Sequence, residues 1–344
     1  MGCSLLLALR LDYYVLILLL VVASYKLPLM HTPQPAILIA DEMHPSLFAM
    51  LHEAGFTYTY QPTLDRAGIL AAIAPYEGLI IRSKTTVDAA MLAVAPNLRY
   101  IGRAGAGLDL IDMDAANGRK IRVFHAGTGN RDAVAEHVLG MLLALFNNIV
   151  KADRDVRQGI WDREGNRGVE LMGKTVGLLG YGNNGQATAR RLSGFGCRVL
   201  AYDKFRTTYS DQYTQEATVE QIKAEADILS LHVPLTDDTR HWIDQVFVAQ
   251  MRKSFFLVNA SRGEVVSLSA VVAGLRSGKV RGACLDVMEN EKLKTLSPIQ
   301  RANFDYLRRS DQVILTPHIA GWTRESYIRI NKVLVEQLSV NGYQ

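Results

Sequence analysis

The stretch TVGLLGYGNNGQA, residues 175–187, decides the fold. Its glycines Gly180, Gly182 and Gly185 have G-x-G-x-x-G spacing, which by itself is a weak signal. The preceding GKTVGLLG is an apolar strand that ends at Gly180, QATARRLSGFG follows as a helix, and CRVLAYD is a second strand. A strand, a glycine turn, a helix and a second strand form a dinucleotide-binding βαβ unit. The context therefore predicts a dinucleotide site and not an ordinary turn.

Each residue of this unit has a physical task. Gly180 allows the tight turn, Gly182 lets a pyrophosphate approach the backbone, and Gly185 lets helix and strand pack closely. The N-terminus of the helix offers free N–H groups and the positive end of its dipole to the phosphates. Asp203 ends the second strand, about 20 residues after Gly180, where an acid binds ribose hydroxyls and repels the 2′-phosphate of NADP. The predicted cofactor is therefore NAD. Asn184 departs from the pattern, since an apolar residue often packs there.

Length and composition fit two domains with a large core. The chain has 344 residues, of which 49% are apolar and 21% are charged, and its formal net charge is +4. No run of like charges indicates nucleic acid as a partner. The three cysteines lie far apart without a C-x-x-C pair, so neither disulfides nor a zinc site is predicted. The histidines show no H-E-x-x-H or similar metal spacing, and no metal is expected. We expect a cytoplasmic protein.

The N-terminal segment differs from the rest of the chain. Residues 1–30 are strongly apolar, but the unbroken run Tyr13–Ala23 is shorter than the roughly 20 residues of a membrane-spanning helix. A signal peptide would begin with basic residues, and Met1–Ala8 has no charged side chain. Met30 opens a second plausible start, directly before a first strand. Residues 1–35 are therefore interpreted as a leader, either untranslated or a membrane or export segment.

Strands and helices alternate after Pro35. The runs PAILIADEM, EGLIIRSKT, LRYIGRAGAG and KIRVFHAGTG read as strands that end in polar or glycine-rich turns, and PSLFAMLHEAG reads as a helix. Near-continuous apolar strands between helices indicate a parallel sheet covered on both faces. Residues 131–150 predict one long helix, which is buried within one domain or between two subunits since it is apolar on most sides. A second α/β series runs from Lys174 to about Pro317.

Three later strands end in chemically active side chains. FFLVNASRGEVVS places Arg262 after a strand, GACLDVMENEK places Asp286, Glu289 and Glu291, and VILTPHIAGWT places His318. Ligands of open α/β sheets bind beyond the carboxyl ends of the strands, so these groups could meet in one cleft. A nicotinamide enzyme acting on an alcohol needs a base, a group that holds this base, and a cation for the substrate. Each residue alone is more often structural or solvated; the set favours catalysis.

The motifs together resemble the D-isomer-specific 2-hydroxyacid dehydrogenases, most closely the phosphoglycerate dehydrogenases among them, over roughly residues 36–340. The motifs that carry the resemblance are IRSKTTVDAAML, GRAGAGLDLIDMDAA, GNRDAVAEH, GLLGYGNNG, LHVPLTDDTRH, NASRGEVV, GACLDVMENE and LTPHIAGWT. The resemblance implies an α/β fold of two doubly wound parallel-sheet domains. A Rossmann NAD-binding domain, residues 131–318, is inserted in a discontinuous flavodoxin-like substrate domain, residues 36–130 plus 319–344. It also implies a homodimer, formed through the cofactor domain, or a dimer of dimers.

The resemblance assigns roles to individual residues. Arg262 matches the catalytic arginine and His318 the acid/base. Glu291 matches the carboxylate partner of the histidine, five residues after Asp286, and Glu289 is its rival. The predicted cofactor-binding residues are Gly180, Gly182, Asn183, Asn184, Gly185, Asp203, His232, Pro234, Ala260, Arg262, Asp286 and His318. The predicted substrate-binding residues are Arg82, Ser83, Arg103, Gly105, Ala106 and Gly107.

The implied substrate is a 2-hydroxy acid with a phosphate. Arg82, Ser83 and Arg103 would face that phosphate, because a guanidinium fork binds phosphate through paired hydrogen bonds. The predicted reaction is NAD-dependent oxidation of D-3-phosphoglycerate to 3-phosphohydroxypyruvate, a step of serine biosynthesis. The alternatives are a glyoxylate, hydroxypyruvate or other D-2-hydroxyacid reductase, in which Arg103 merely lines the cleft, and an NAD-sensing binding protein without activity.

Two departures from the family pattern bear on these expectations. Trp322 takes a position that is usually small or polar, and it could narrow the nicotinamide side of the cleft. The chain ends at Gln344, without the C-terminal regulatory domain of some phosphoglycerate dehydrogenases, so feedback by serine through such a domain is not expected.

Overall fold

The structure, a computed structural model, describes residues 37–341 as two parallel β-sheets with helices on both faces. The predicted leader, residues 1–35, lies outside the described residues, and so does the second start at Met30.

The first sheet has the strand order β2-β1-β3-β4-β5, which is that of flavodoxin-like domains. Its apolar strands are buried on both faces, because helices cover each side. Asp65, Asp88 and Asp112 begin three of the helices, each accepting a hydrogen bond from the N–H three residues later. The elements are β1 Ile37–Ile39, α1 Ser46–Glu53, β2 Tyr58–Tyr60, α2 Arg66–Ala72, β3 Gly78–Ile81, α3 Ala89–Ala93, β4 Tyr100–Arg103, α4 Met113–Gly118 and β5 Arg122–His125.

The long helix predicted over residues 131–150 is two helices, α5 Arg131–Phe146 and α6 Ile149–Arg157, bent by 57°. Asn148 between them has a φ of 51°, a left-handed conformation that asparagine tolerates better than most residues. The prediction of one continuous helix was wrong, because an Asn-Asn pair at residues 147–148 ends α5 while the apolar pattern continues. Ile149 and Val150, expected to be buried within one domain or between two subunits, are 53% and 54% exposed in the single chain.

The second sheet has the order β12-β11-β10-β9-β6-β7-β8, so the chain starts at β6, builds one half of the sheet and then crosses back to build the other from β9. This is the Rossmann order, and the predicted fold class of two parallel α/β sheets is confirmed. The elements are β6 Thr175–Leu179, α7 Asn183–Leu192, β7 Arg198–Tyr202, β8 Gln215–Glu216, α8 Val219–Glu225, β9 Ile228–Leu231, α9 Gln245–Gln250, β10 Phe255–Asn259, α10 Leu268–Ser277, β11 Val280–Leu285, α11 Pro298–Leu307 and β12 Val313–Leu315.

The last helix, α12 Arg324–Val340, returns to the first sheet. Its buried residues Ile330, Leu334 and Leu338 share a core with Ile37 of β1. A Cβ on Gly102 of β4 would lie 3.2 Å from a methyl group of Leu334, so the helix packs directly on the strand. The first sheet is therefore completed by a segment that follows the second sheet, and a cleft lies between them. The exact domain bounds proposed from the sequence stay predictions.

Within residues 37–341, no single helix is long and apolar enough to cross a membrane; α5 and α6 pass that test only together, as a bent pair. No three His, Cys, Asp or Glu side chains in the same part of the chain group as a metal site would require.

Candidate active site

The turn after β6 is shaped by its three glycines. Gly180 has a φ of 97°, and a Cβ there would lie 2.5 Å from the carbonyl oxygen of His232. A Cβ on Gly185 would lie 2.3 Å from the carbonyl oxygen of Gly180. A Cβ on Gly182, the residue directly before α7, would meet no atom of the described residues within 4 Å. Close packing thus requires two of the glycines, and the third leaves room for a pyrophosphate at the helix N-terminus.

Asp203 lies beside this turn at the end of β7. Its Oδ2 accepts a hydrogen bond from the Tyr181 N–H at 2.8 Å, and its Oδ1 accepts one from the Phe205 N–H at 3.0 Å. Two carboxylate lone pairs are left for ribose hydroxyls. The carboxylate borders a cavity of about 200 Å³ that is also lined by Gly180, Gly182, His232, Pro234 and Trp242. These residues fit the adenosine half of NAD, and Asn183 and Asn184 begin the helix that would hold its phosphates.

His318 lies three residues beyond β12, with a φ of 56°. Its Nδ1 lies 3.0 Å from the carboxylate of Glu291, and this hydrogen bond raises the pKa of His318 above its ordinary value. The rival Glu289 instead accepts a hydrogen bond from the Leu268 N–H at 3.0 Å and lies 3.4 Å from His241. The structure therefore brings Glu291, and not Glu289, to the histidine.

Asp286 holds the segment that carries His318. Its buried carboxylate accepts hydrogen bonds from the Thr316 hydroxyl at 2.6 Å and from the N–H groups of Ile319 and Ala320 at 2.9 and 2.8 Å. Burial raises the pKa of Asp286, but the interaction with His137 and these hydrogen bonds outweigh it, and the pKa is lowered. His137 of α5, to which the sequence analysis assigned no role, lies 3.0 Å from the same hydroxyl. Asp286 lines the cleft, but its carboxylate oxygens mainly accept hydrogen bonds from the segment that carries His318.

Arg262 reaches across the cleft from the turn after β10. Its Nε and Nη2 donate to Oδ2 of Asp109 at 2.9 and 2.7 Å, and its Nη1 donates to the Ser261 carbonyl oxygen at 2.7 Å. A Cβ on Gly107 would lie 1.8 Å from Nη2, so only glycine leaves space for this arginine. Asp109 was not predicted from the sequence, because nothing in its own segment marks it as the partner of a residue 153 positions away.

The cleft between the two sheets has a volume of about 480 Å³. Arg103 is one of its cations: Nη1 donates to the Ala104 carbonyl oxygen at 2.8 Å, and the buried Nε has no partner among the described residues. Burial, together with the charge of Arg262, lowers the pKa of Arg103 to about 10. The cleft therefore favours anionic ligands. All predicted substrate residues line it, along with residues of the catalytic side: Arg82, Ser83, Arg103, Gly105, Ala106, Gly107, Asn184, Ala260, Arg262, Asp286 and His318.

Trp322 also borders the cleft, but not as expected. Its ring lies over the guanidinium of Arg82, with Cζ 4.1 Å from the ring centroid. The structure thus places the ring against Arg82, one of the predicted substrate-binding residues, and the expectation that the ring narrows the nicotinamide side stays a prediction. Nothing in the local sequence could show this contact.

Comparison with known proteins identifies the family to which the chain is similar. The family model of the D-isomer specific 2-hydroxyacid dehydrogenase NAD binding domain matches residues 139–320. D-3-phosphoglycerate dehydrogenase of Mycobacterium leprae is 37% identical over 306 residues, which are 88% of this chain and 56% of that protein. Hydroxypyruvate reductase of Thermotoga maritima is 36% identical over 275 residues, which are 80% of this chain and 88% of that protein.

A solved structure of D-lactate dehydrogenase from Aquifex aeolicus, complexed with NAD and lactic acid, superposes with a TM-score of 0.77 at 26% identity. The match covers 89% of this chain and 95% of that one. The chain spans only a little over half the length of the phosphoglycerate dehydrogenases that it matches.

Proposed function

The chain belongs to the D-isomer-specific 2-hydroxyacid dehydrogenases, and from this we propose that it oxidises a D-2-hydroxy acid bearing a second anionic group, with NAD as cofactor. The substrate we favour is D-3-phosphoglycerate, with 3-phosphohydroxypyruvate as the product. The observation that carries the proposal is that Arg82, Arg103 and Arg262 line the same cleft as His318.

His318 and Glu291 form the proton-transfer pair. Neutral His318 accepts the hydroxyl proton on Nε2, because Nδ1 already faces Glu291 at 3.0 Å. Glu291 then stabilises the imidazolium, consistent with the raised pKa of His318. NAD, when bound, supplies the acceptor for the hydride that leaves C2.

Arg262 serves the reacting end of the substrate. Its guanidinium binds the carboxylate and polarises the oxygen on C2, exchanging Asp109 for the substrate in doing so. One guanidinium cannot also hold a phosphate at the other end of the molecule. Arg82 and Arg103, which come from β3 and β4 of the opposite domain, take that role.

A second candidate is reduction of hydroxypyruvate or glyoxylate. It is favoured by the similarity to hydroxypyruvate reductase of Thermotoga maritima, which at 36% identity is about as similar as the phosphoglycerate dehydrogenases. In that case Arg82 and Arg103 only shape the cleft. A purely NAD-sensing protein is less well supported, since Arg262, Glu291 and His318 all lie at one cleft or beside it.

The test is NADH formation by the purified protein with D-3-phosphoglycerate and with D-glycerate. Arg82→Ala should lower kcat/KM for the phosphorylated substrate by about 10- to 100-fold, the scale of a lost charge-assisted hydrogen bond, and change glycerate turnover much less. Equal losses on both substrates would favour the general reductase instead.

We also propose that the protein is a homodimer that uses the surface around α6. Val150 and Trp161 in this region are 54% and 81% exposed, which leaves apolar side chains in water unless another surface covers them. Sedimentation velocity of the wild type and of Trp161→Ser together with Val150→Lys tests this. A dimer that survives both substitutions would contradict the assignment of the surface.

A further inference from the structure

Trp322 lies in the segment between β12 and α12 and is 58% exposed. Its ring covers one face of the Arg82 guanidinium, with Cζ 4.1 Å from the centroid, and the ring centroid of Tyr327 of α12 lies 4.6 Å from the same Cζ. The two rings are 5.2 Å apart, so they form one aromatic wall beside the arginine. A cation that lies over aromatic faces is attracted by their electron density and loses much of its rotational freedom.

Further bonds hold Arg82 in this position. Its Nη1 donates to the Tyr327 hydroxyl and, at 3.2 Å, to the Glu42 carbonyl oxygen. Its backbone N–H donates to the buried carboxylate of Asp41 at 2.6 Å. No residue in the described part of the chain accepts a hydrogen bond from Nε or Nη2. The guanidinium is therefore fixed through one face and through Nη1, while the N–H groups on its Nε–Nη2 edge are free to donate hydrogen bonds to a ligand.

From this arrangement we propose that Trp322 is a positioning residue that determines selectivity for substrates with a second, doubly charged anionic group. Trp322 holds Arg82 so that the Nε–Nη2 edge binds two oxygens of a phosphate at once. Such paired binding depends on the orientation of the planar fork, and a side chain oriented in advance loses less entropy on binding. The inference deepens the proposed function and rests on Arg82 as the site of the distal phosphate.

The position of Trp322 also connects this anion to the catalytic segment. Its backbone N–H donates to the Ile319 carbonyl oxygen at 2.9 Å, and Ile319 follows His318 directly. The backbone of Trp322 is therefore part of the turn that follows the acid/base, while its ring contacts Arg82, the residue after β3. A phosphate that engages Arg82 thereby also stabilises the contact between that segment and the substrate domain.

The test measures binding and turnover in Trp322→Ala and Trp322→Phe. Binding of inorganic phosphate to the full chain is followed by calorimetry, and kcat/KM is measured with D-3-phosphoglycerate and D-glycerate. Trp322→Ala should weaken phosphate binding about three- to tenfold, between the scales of an exposed and a desolvated cation–π contact, and raise KM for the phosphorylated substrate more than for glycerate. Trp322→Phe, which keeps a ring, should restore most of both. Tyr306→Leu removes the ring near Arg276, at 4.9 Å and outside the cleft, and serves as the control.

A double-mutant cycle completes the design. If Trp322 acts through Arg82, then Trp322→Ala should have no further effect on phosphate binding once Arg82 is alanine. Unchanged phosphate affinity in Trp322→Ala, no rescue by phenylalanine, or additive losses in the double variant would each overturn the proposal. A wild type that binds phosphate through this pair yet turns over glycerate better than phosphoglycerate would refute the substrate proposal and leave the role of Trp322 in anion binding intact.

Discussion

Arg103 is a charged side chain that the folded protein holds at a cost, and replacing it with methionine tests the anion site directly. Burial and the charge of Arg262 lower the pKa of its guanidinium to about 10, more than two units below its ordinary value. Each pKa unit corresponds to about 1.4 kcal/mol, so folding disfavours the charged form by about 3 kcal/mol. Because the folded pKa is depressed, this penalty is complete below about pH 10 and disappears as the pH rises past the unfolded pKa.

Methionine keeps the apolar stem and removes the charge. In Arg103→Met, the free energy of unfolding at neutral pH should rise by about 1–3 kcal/mol, since part of the gain is offset by the lost hydrogen bond to Ala104. The same change should lower kcat/KM for D-3-phosphoglycerate by about 10- to 100-fold, because the phosphate loses a charge-assisted partner. Urea unfolding and steady-state kinetics with D-3-phosphoglycerate and D-glycerate measure the two effects.

Arg99 provides a matched control just before the same strand. It is 61% exposed and pairs with Glu77 at 3.1 Å, so Arg99→Met should change stability by less than about 1 kcal/mol and leave both substrates unaffected. The reasoning is refuted if Arg103→Met destabilises the fold, or if it weakens both substrates equally. The first result would make Arg103 a structural cation, and the second would favour the general reductase.

Three further predictions concern the rest of the site. Glu291→Gln removes the hydrogen-bonded charge that raises the pKa of His318, so the pH at which kcat/KM for oxidation rises should move lower; an unmoved profile would point to another base. Gly107→Ala places a Cβ 1.8 Å from Arg262 Nη2 and should lower kcat/KM by about 10²-fold, while calorimetry shows normal NAD affinity. In the control Gly118→Ala, whose Cβ meets no atom within 4 Å, both kcat/KM and NAD affinity should stay unchanged. Asp203→Ala should weaken NAD binding and admit NADP in coenzyme titrations; continued exclusion of NADP would show that another group rejects it.

The sequence by itself determined the cofactor-binding unit and the strand ends. Gly180, Gly185 and Asp203 could be assigned because a turn, a close helix–strand contact and a carboxylate at a strand end are encoded within a few residues. Arg262 and His318 could be placed at the same edge for a similar reason: each follows an apolar strand, and parallel strands end on one side of their sheet. The break at Asn148 was missed although it is local, because apolar periodicity continues through it.

Only the tertiary structure decided which side chains meet. Glu289 and Glu291 are equally acidic and two positions apart, and the path of the loop after β11 brings one to His318 and the other to the N-terminus of α10. The contact of Arg262 with Asp109 joins the two domains, and the contact of Arg82 with Trp322 joins distant parts of the chain. Both contacts depend on how the chain arranges its two sheets and the returning helix α12 around the cleft, and no short stretch of sequence specifies that arrangement.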